Sequence, residues 1–347
     1  MRQALRTSIS VALVLAIFVG VLPRIASLSE VTAAIGAMSP IETALLLAVA
    51  LWSLSTYGPV LMASLPGLTF GQSMVVTQSS TAIANTVPAG GAFGVGVTVA
   101  MYNSWGFRKA ATTLSVAVSG LWNIFGKLAL PVAALALVAL VGTASGGLVA
   151  ASVAGIVAIV GALALFAAML RSDRLARAIG SRAGNVASRV RQRFGRAPVG
   201  DWGEAAVHFR HDTIGLVRTR WMHLSVTTVV SQLSLFAVLL LALRNLGVSD
   251  DELGWIQVLA AFAFVRLLSA LPITPGGLGV VELGLVAALV AAGGPRPQVV
   301  AAVLVFRALT YLAPVPLGIV GYVVWRRHGR WRRRAPSPTT LASETGR

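Results

Sequence analysis

Three ionisable side chains, Arg266, Glu282 and Arg307, sit inside long apolar stretches in the C-terminal half of the chain. A charge at the centre of a hydrocarbon layer costs at least about 2.5 to 3.5 kcal/mol on insertion scales, so each one needs a partner or a ligand. Counted from Trp255, Gly293 and Pro297 at a helical rise of ~1.5 Å per residue, all three lie about 15–16 Å deep, near the middle of a bilayer. Two guanidiniums against one carboxylate leave a positive surplus. Arginine grips phosphate through a two-pronged fork, so the chemistry this set could do is recognition of an anionic headgroup. Glu282 follows a glycine run, where a half-helix would begin and its dipole would favour an anion. Burial opposes that charge, which leaves a protonation switch open. A structural ion pair joining two helices explains the same residues, and the two roles can coexist.

Two Pro/Gly tips would have to position this set. One runs Pro275-Gly276-Gly277-Leu278-Gly279, just before Glu282; the other runs from Pro88 through Gly90 and Gly91 to Gly94, with Asn85 just before it. The Pro88 tip, first along the chain, is preceded by uncharged polar residues, and Asn123 and Lys127 follow on the next apolar run. These polar groups serve packing or line a cavity, and Asn85 is the best single cavity candidate among them.

The chain around these tips is built for a membrane. It has 347 residues, of which 56% are hydrophobic and 11% charged, against about 25% charged in a soluble domain. Apolar runs long enough to cross a core of roughly 30 Å cover 7–23, 41–64, 72–103, 110–141, 147–170, 219–244, 255–293 and 298–325. The run at 7–23 could be a secretory signal, but no small-residue cleavage site follows and it reads as an uncleaved span. The runs 72–103 and 255–293 are broken at their tips and are expected to be re-entrant hairpins; two ordinary helix pairs with Pro/Gly turns are the alternative. The expected fold is an all-α polytopic membrane protein with about six full crossings and two opposed re-entrant or broken hairpins in an inverted repeat. Such a repeat is the pointer to a transport site at the midplane. Its parts are a first transmembrane repeat at 1–170, a basic loop at 171–218, a second repeat at 219–328, and a basic, disordered tail at 329–347.

Charge gives the orientation. The net charge is +17, and cations concentrate at the N-terminus, in residues 171–220 with eleven arginines, and after Trp325 with seven. The positive-inside rule puts all three in the cytoplasm, with both termini, and the acidic turn Asp250–Glu252 outside. The loop contains an amphipathic stretch, Leu175, Ile179, Val186, Val190 and Phe194 amid arginines, suited to an anionic inner leaflet. Nothing like a nucleic-acid recognition module accompanies it. Glu204, His208, His211 and Asp212 have helical spacing that could hold a metal, although juxtamembrane polarity explains them better. With no cysteine, there is no disulfide framework or thiolate nucleophile. No cofactor is expected, and no nucleotide-binding motif suggests ATP as a driver.

The segment Leu271-Pro-Ile-Thr-Pro-Gly-Gly-Leu-Gly-Val-Val-Glu282 resembles the PxTPGGxGxxE signature of the lysylphosphatidylglycerol synthase transmembrane region family, also called the flippase-like domain family. Asn85 to Gly94, the Gly106 turn and the Arg307 helix look like the rest of that pattern, over most of residues 1–328. The resemblance implies a polytopic domain of a prokaryotic inner membrane that moves lipids or lipid-linked sugars between leaflets, with Pro275, Gly276, Gly277 and Glu282 at signature positions. Many members carry an Arg and a Glu around the first-half proline motif; this chain has PAGGAFG there, which puts a symmetric two-site mechanism in doubt. No counterpart of the aminoacyltransferase domain of the bifunctional members follows the last span, so lysyl-lipid synthesis is not expected. The expected function is a non-enzymatic lipid flippase whose binding residues are Arg266, Pro275, Gly276, Gly277, Glu282, Arg307, Asn85, Pro88, Gly90 and Gly91. The alternatives are a membrane scaffold whose basic loop recruits a partner, or an enzyme acting on polyprenyl phosphate, for which the tips lack Ser and His. Expected partners are membrane lipids, with the anionic leaflet contacting 171–218; a second copy of the chain or a separate lipid-modifying enzyme is also open.

Overall fold

The structure, a computed structural model, describes residues 38–87, 90–140, 171–193, 200–269 and 275–328, with a few isolated positions besides. The described elements are all helical. They are α1 (Pro40–Ser64), α2 (Phe70–Thr86), α3 (Gly90–Ser104), α4 (Lys109–Leu140), α5 (Asp173–Arg193), α6 (Trp202–Asn245), α7 (Trp255–Leu268), a 3-10 turn (Pro275–Gly277), α8 (Val280–Ala291), α9 (Arg296–Arg307), a wide π turn (Ala308–Leu312) and α10 (Pro314–Arg327). By length and composition, α1, α4, α6 and the continuous α9–α10 stretch can cross a membrane. The spans expected at 7–23 and 147–170, the Pro88 tip residue and the tail at 329–347 lie outside the described residues.

Local chemistry sets several helix starts. Ser39 caps α1 and Thr69 caps α2, each in a reciprocal box with the residue three further on, Glu42 or Gln72; such boxes satisfy backbone N–H groups that have no partner inside the helix. Asp201 caps α6 by accepting from the N–H groups of Gly203 and Glu204 at 2.8 and 3.2 Å. That cap starts the helix well before the apolar run at 219. The result is one helix of 44 residues, about 66 Å long, whose first part belongs to the segment read from sequence as a basic loop.

α5 lies along this polar extension. Ala176, Gly180 and Gly184 form its buried face, and a Cβ at Gly180 would overlap the backbone of Trp202. Arg177–Glu204 and Arg210–Asp173 ion pairs join the two helices. Leu175 and Val186 stay exposed beside Arg174, Arg182 and Arg189.

The helix pairing is reciprocal. α2 packs on α3 and on α10, α7 packs on α8 and on α4, and α1 packs on α6. Gly318 lets α10 approach α2 closely, because a Cβ there would overlap Ala82 and the carbonyl of Gln78. The largest apolar cluster joins Leu46 and Ala50 of α1, Leu130 and Ala134 of α4, and Leu239 and Leu243 of α6 to buried faces of α7, α8 and α9. Burial of that surface at roughly 25 cal/mol per Å² applies only where the reference state is water; between membrane helices, tight packing and polar links carry the association instead. Such links are present: Ser64 with Ser115 at 2.8 Å, and Thr56 with Ser234 at 3.0 Å.

Candidate functional site

The second tip begins with a backbone requirement. Gly276 has φ +57° and sits directly under the Tyr311 ring and beside Asn85; a Cβ there would overlap the ring and come within 3.0 Å of Asn85 Oδ1. Only glycine fits a left-handed position with so little room. The tip then feeds α8, whose first turn holds Glu282.

Glu282 meets the last helix. Arg307 Nε donates to Glu282 Oε1 at 2.6 Å, and its Nη2 donates to the Gly276 carbonyl at 3.3 Å. The guanidinium also lies 4.3 Å from the centre of the Tyr311 ring, within range of a cation–π contact. Arg307 is only 7% exposed, so removing the carboxylate would strand a buried charge. The other carboxylate oxygen, Oε2, is buried without a hydrogen-bond partner.

The first tip is clasped to the same place. Asn85 Nδ2 donates to the Tyr311 carbonyl at 3.0 Å, and the Tyr311 hydroxyl donates to the Asn85 carbonyl. The clasp sits on the π turn, just before Pro314 and Pro316, which contribute no N–H donors to the helix ladder. Asn85 at the end of α2 and Gly276 of the second tip thus converge on Tyr311.

Arg266 approaches from α7. Its Nε donates to Gln232 Oε1 at 3.3 Å, and Gln232 Nε2 donates to Asn123 Oδ1 at 3.0 Å. One amide on α6 therefore ties α7 to α4. One turn beyond Asn123, Lys127 has neither a hydrogen bond nor an ion pair among the described residues.

These groups surround one cavity of about 270 Å³, lined by Asn85, Lys127, Arg266, Gly276, Arg307 and Tyr311, with Leu235, Phe262, Val265 and Leu285 on its apolar walls. That is just below the usual range of about 300–1,000 Å³ for small-molecule sites, room for a headgroup but not for a whole lipid. The arrangement offers guanidinium and ammonium donors for an anion beside an apolar wall.

The structure brings Arg266, Asn85, Gly276 and Arg307 to this cavity and Glu282 to its edge through Arg307. Pro275 opens the 3-10 turn and Gly277 follows in it, packed toward Val281. Gly90 is buried in the turn of its own hairpin, against the carbonyls of Ile83 and Ala84, and Gly91 is exposed with open space where a side chain would go. Lys127, read from sequence with Asn123 as a packing or cavity-lining group, lines the cavity; Gln232 and Tyr311 were not among the residues singled out, and they carry almost no signal in the sequence. Glu204 and His211 pair instead with α5, through Arg177 and Asp173, and among the described residues no cluster of three metal-ligating side chains occurs.

Comparison with curated proteins finds no match. The profile described as the lysylphosphatidylglycerol synthase TM region matches residues 7–318, a range that contains both tips, the clasp and every residue of the cavity. The chain is a membrane protein that belongs to the lysylphosphatidylglycerol synthase transmembrane region family.

Proposed function

We propose that the protein translocates a lipid with an anionic headgroup between leaflets, moving it without altering it, and that the headgroup passes through the cavity between the two tips. The observation that carries this reading is the cavity itself: Lys127, Arg266 and Arg307 line one space together with residues of both tips. In an apolar helical protein so many cations at one site are costly unless an anion joins them.

The helix arrangement supports an inverted repeat. α1 to α4 correspond to α6, α7, α8 and the α9–α10 stretch, and the contacts obey the exchange, since α2 packs on α10 as α7 packs on α4. The hairpin arms have 17, 15, 14 and 12 residues, about 18–26 Å each, against a core of roughly 30 Å. Short arms favour re-entrant hairpins, and non-helical backbone at that depth is tolerated where it faces a cavity. The exposed Leu175 and Val186 among the arginines of α5 suit a helix resting on the anionic cytoplasmic leaflet.

The test has two parts. Native mass spectrometry of detergent-purified protein should find a specific anionic lipid in the wild type and lose it in Glu282→Gln and Arg307→Ala. Reconstituted in vesicles with fluorescently labelled phosphatidic acid, the wild type should move label between leaflets, and a variant neutralised at Arg266 and Arg307 should not. Translocation unchanged in that variant refutes the proposal. If deleting residues 181–200 abolishes the cellular phenotype while tip substitutions leave it intact, the chain is a scaffold.

A further inference from the structure

The two halves contribute unequally to the cavity. The second half supplies a balanced pair, because Glu282 is engaged on Arg307 through a 2.6 Å bond. Two cations remain without a counter-charge. Arg266 has only a neutral amide, Gln232, as its acceptor, and Lys127 has none among the described residues. They come from α7 and α4, which pack together, and they line the same space. Among the described residues the first half thus brings no carboxylate to the site, only a second unbalanced positive charge.

We propose that the ligand of this cavity is a phosphate carrying two negative charges, a phosphomonoester or the terminal group of a diphosphate, bridged between Lys127 and Arg266. This rests on the reading of the cavity as a headgroup site and adds which headgroups it takes. A phosphodiester carries one charge and would leave one cation unmatched; a zwitterionic headgroup brings its own cation and would leave two. A dianion neutralises both. The geometry suits it: Lys127 is a compact point charge with three donors, and Arg266 has a planar fork whose Nη groups are not engaged. Because one cation sits on each half, the ligand also joins the halves. The same chemistry has two sources, a lipid phosphate or free inorganic phosphate, and the experiment separates them.

Two amphiphiles with one tail serve as probes: dodecyl phosphate, a monoester, and dodecyl methyl phosphate, its diester. Binding is measured by calorimetry in an uncharged detergent at pH 7, above the second phosphate ionisation near ~6. The wild type is expected to bind the monoester about tenfold or more tightly than the diester. Lys127→Gln should bring the two affinities together mainly by weakening the monoester, and Lys127→Arg should keep the preference. If Lys127→Gln does not give monodisperse protein, the two probes on the wild type decide alone. A wild type without preference, or a Gln variant that keeps it, overturns the dianion assignment; translocation by the cavity then still stands if neutralising Arg266 and Arg307 abolishes it. If neither amphiphile binds and that neutralised variant still translocates, the proposed function fails as well. Inorganic phosphate that displaces dodecyl phosphate at equal concentration overturns the lipid source and makes the free ion the ligand.

Discussion

A methyl group placed on Gly276 tests how the two tips are wedged together. In Gly276→Ala the new Cβ would overlap the Tyr311 ring and crowd Asn85 Oδ1 at φ +57°. The left-handed backbone costs an L residue about 1–2 kcal/mol, and inserting a methyl into packed space adds about 1–3 kcal/mol. The expected loss is therefore about 2–5 kcal/mol. Gly247→Ala isolates the first contribution, because Gly247 ends α6 at φ +85° with open space around it; it should cost about 1–2 kcal/mol. A third background removes most of the second contribution. In Tyr311→Ala protein the ring is gone and only the Asn85 contact remains, so adding Gly276→Ala should cost less than it does in the wild type and approach the cost of Gly247→Ala. Equilibrium unfolding in mixed micelles, followed by the fluorescence of the eight tryptophans, gives all the free energies for a double-mutant cycle. If Gly276→Ala costs no more than Gly247→Ala, or if its full cost persists in the Tyr311→Ala background, the ring does not rest on the tip and the convergence at Tyr311 is wrong.

Two further expectations concern the ends of the helices. Glu252 accepts from the backbone N–H of Ser249 at 2.9 Å and then from its hydroxyl, and these bonds hold its carboxyl below the ordinary value of 4.5. A lowered folded-state value means that the contribution to stability is complete above 4.5 and is lost as pH falls through the lowered value; wild type and Glu252→Gln should therefore converge in stability toward pH 3 and differ at pH 6. Because the chain has no cysteine, single introduced thiols report sidedness cleanly. An impermeant maleimide should label Asp251→Cys on intact cells and Ala187→Cys only after permeabilisation, and the opposite pattern would reverse the orientation derived from the arginines.

Much of the architecture was legible because apolar length and Pro/Gly punctuation are local properties. The run read as 110–141 is α4 at Lys109–Leu140, and the broken runs at 72–103 and 255–293 are the packed helix pairs α2–α3 and α7–α8. Counting rise from Gly293 and Pro297 put Glu282 and Arg307 at one depth, and they are bonded. The same counting fails for Lys127. Its helix has 32 residues, about 48 Å, longer than a bilayer core, so the end of the helix does not mark the membrane surface. Gln232 and Tyr311 were invisible for another reason. An uncharged amide and an aromatic ring are ordinary in membrane helices, and their roles arise from α6 meeting α4 and α7, and from the last crossing meeting both tips. The start of α6 was legible in hindsight, since Asp201 with Glu204 three residues on is a cap signal, but the arginines around it drew the reading toward a loop.

The length of α6 has a mechanical consequence. Gln232, which fixes the Arg266 guanidinium, and Trp202, against which α5 packs, stand 30 residues apart on one unbroken helix. They are the two ends of a rod about 45 Å long. A rod tilting by about 5° about its middle moves each end about 2 Å, in opposite directions, enough to stretch the 3.3 Å Gln232–Arg266 hydrogen bond out of range. Pressure on the arginine-bearing α5 at one end is thus felt as a torque at the amide that aims the cavity's guanidinium at the other, with no intervening chain of side chains needed to relay it.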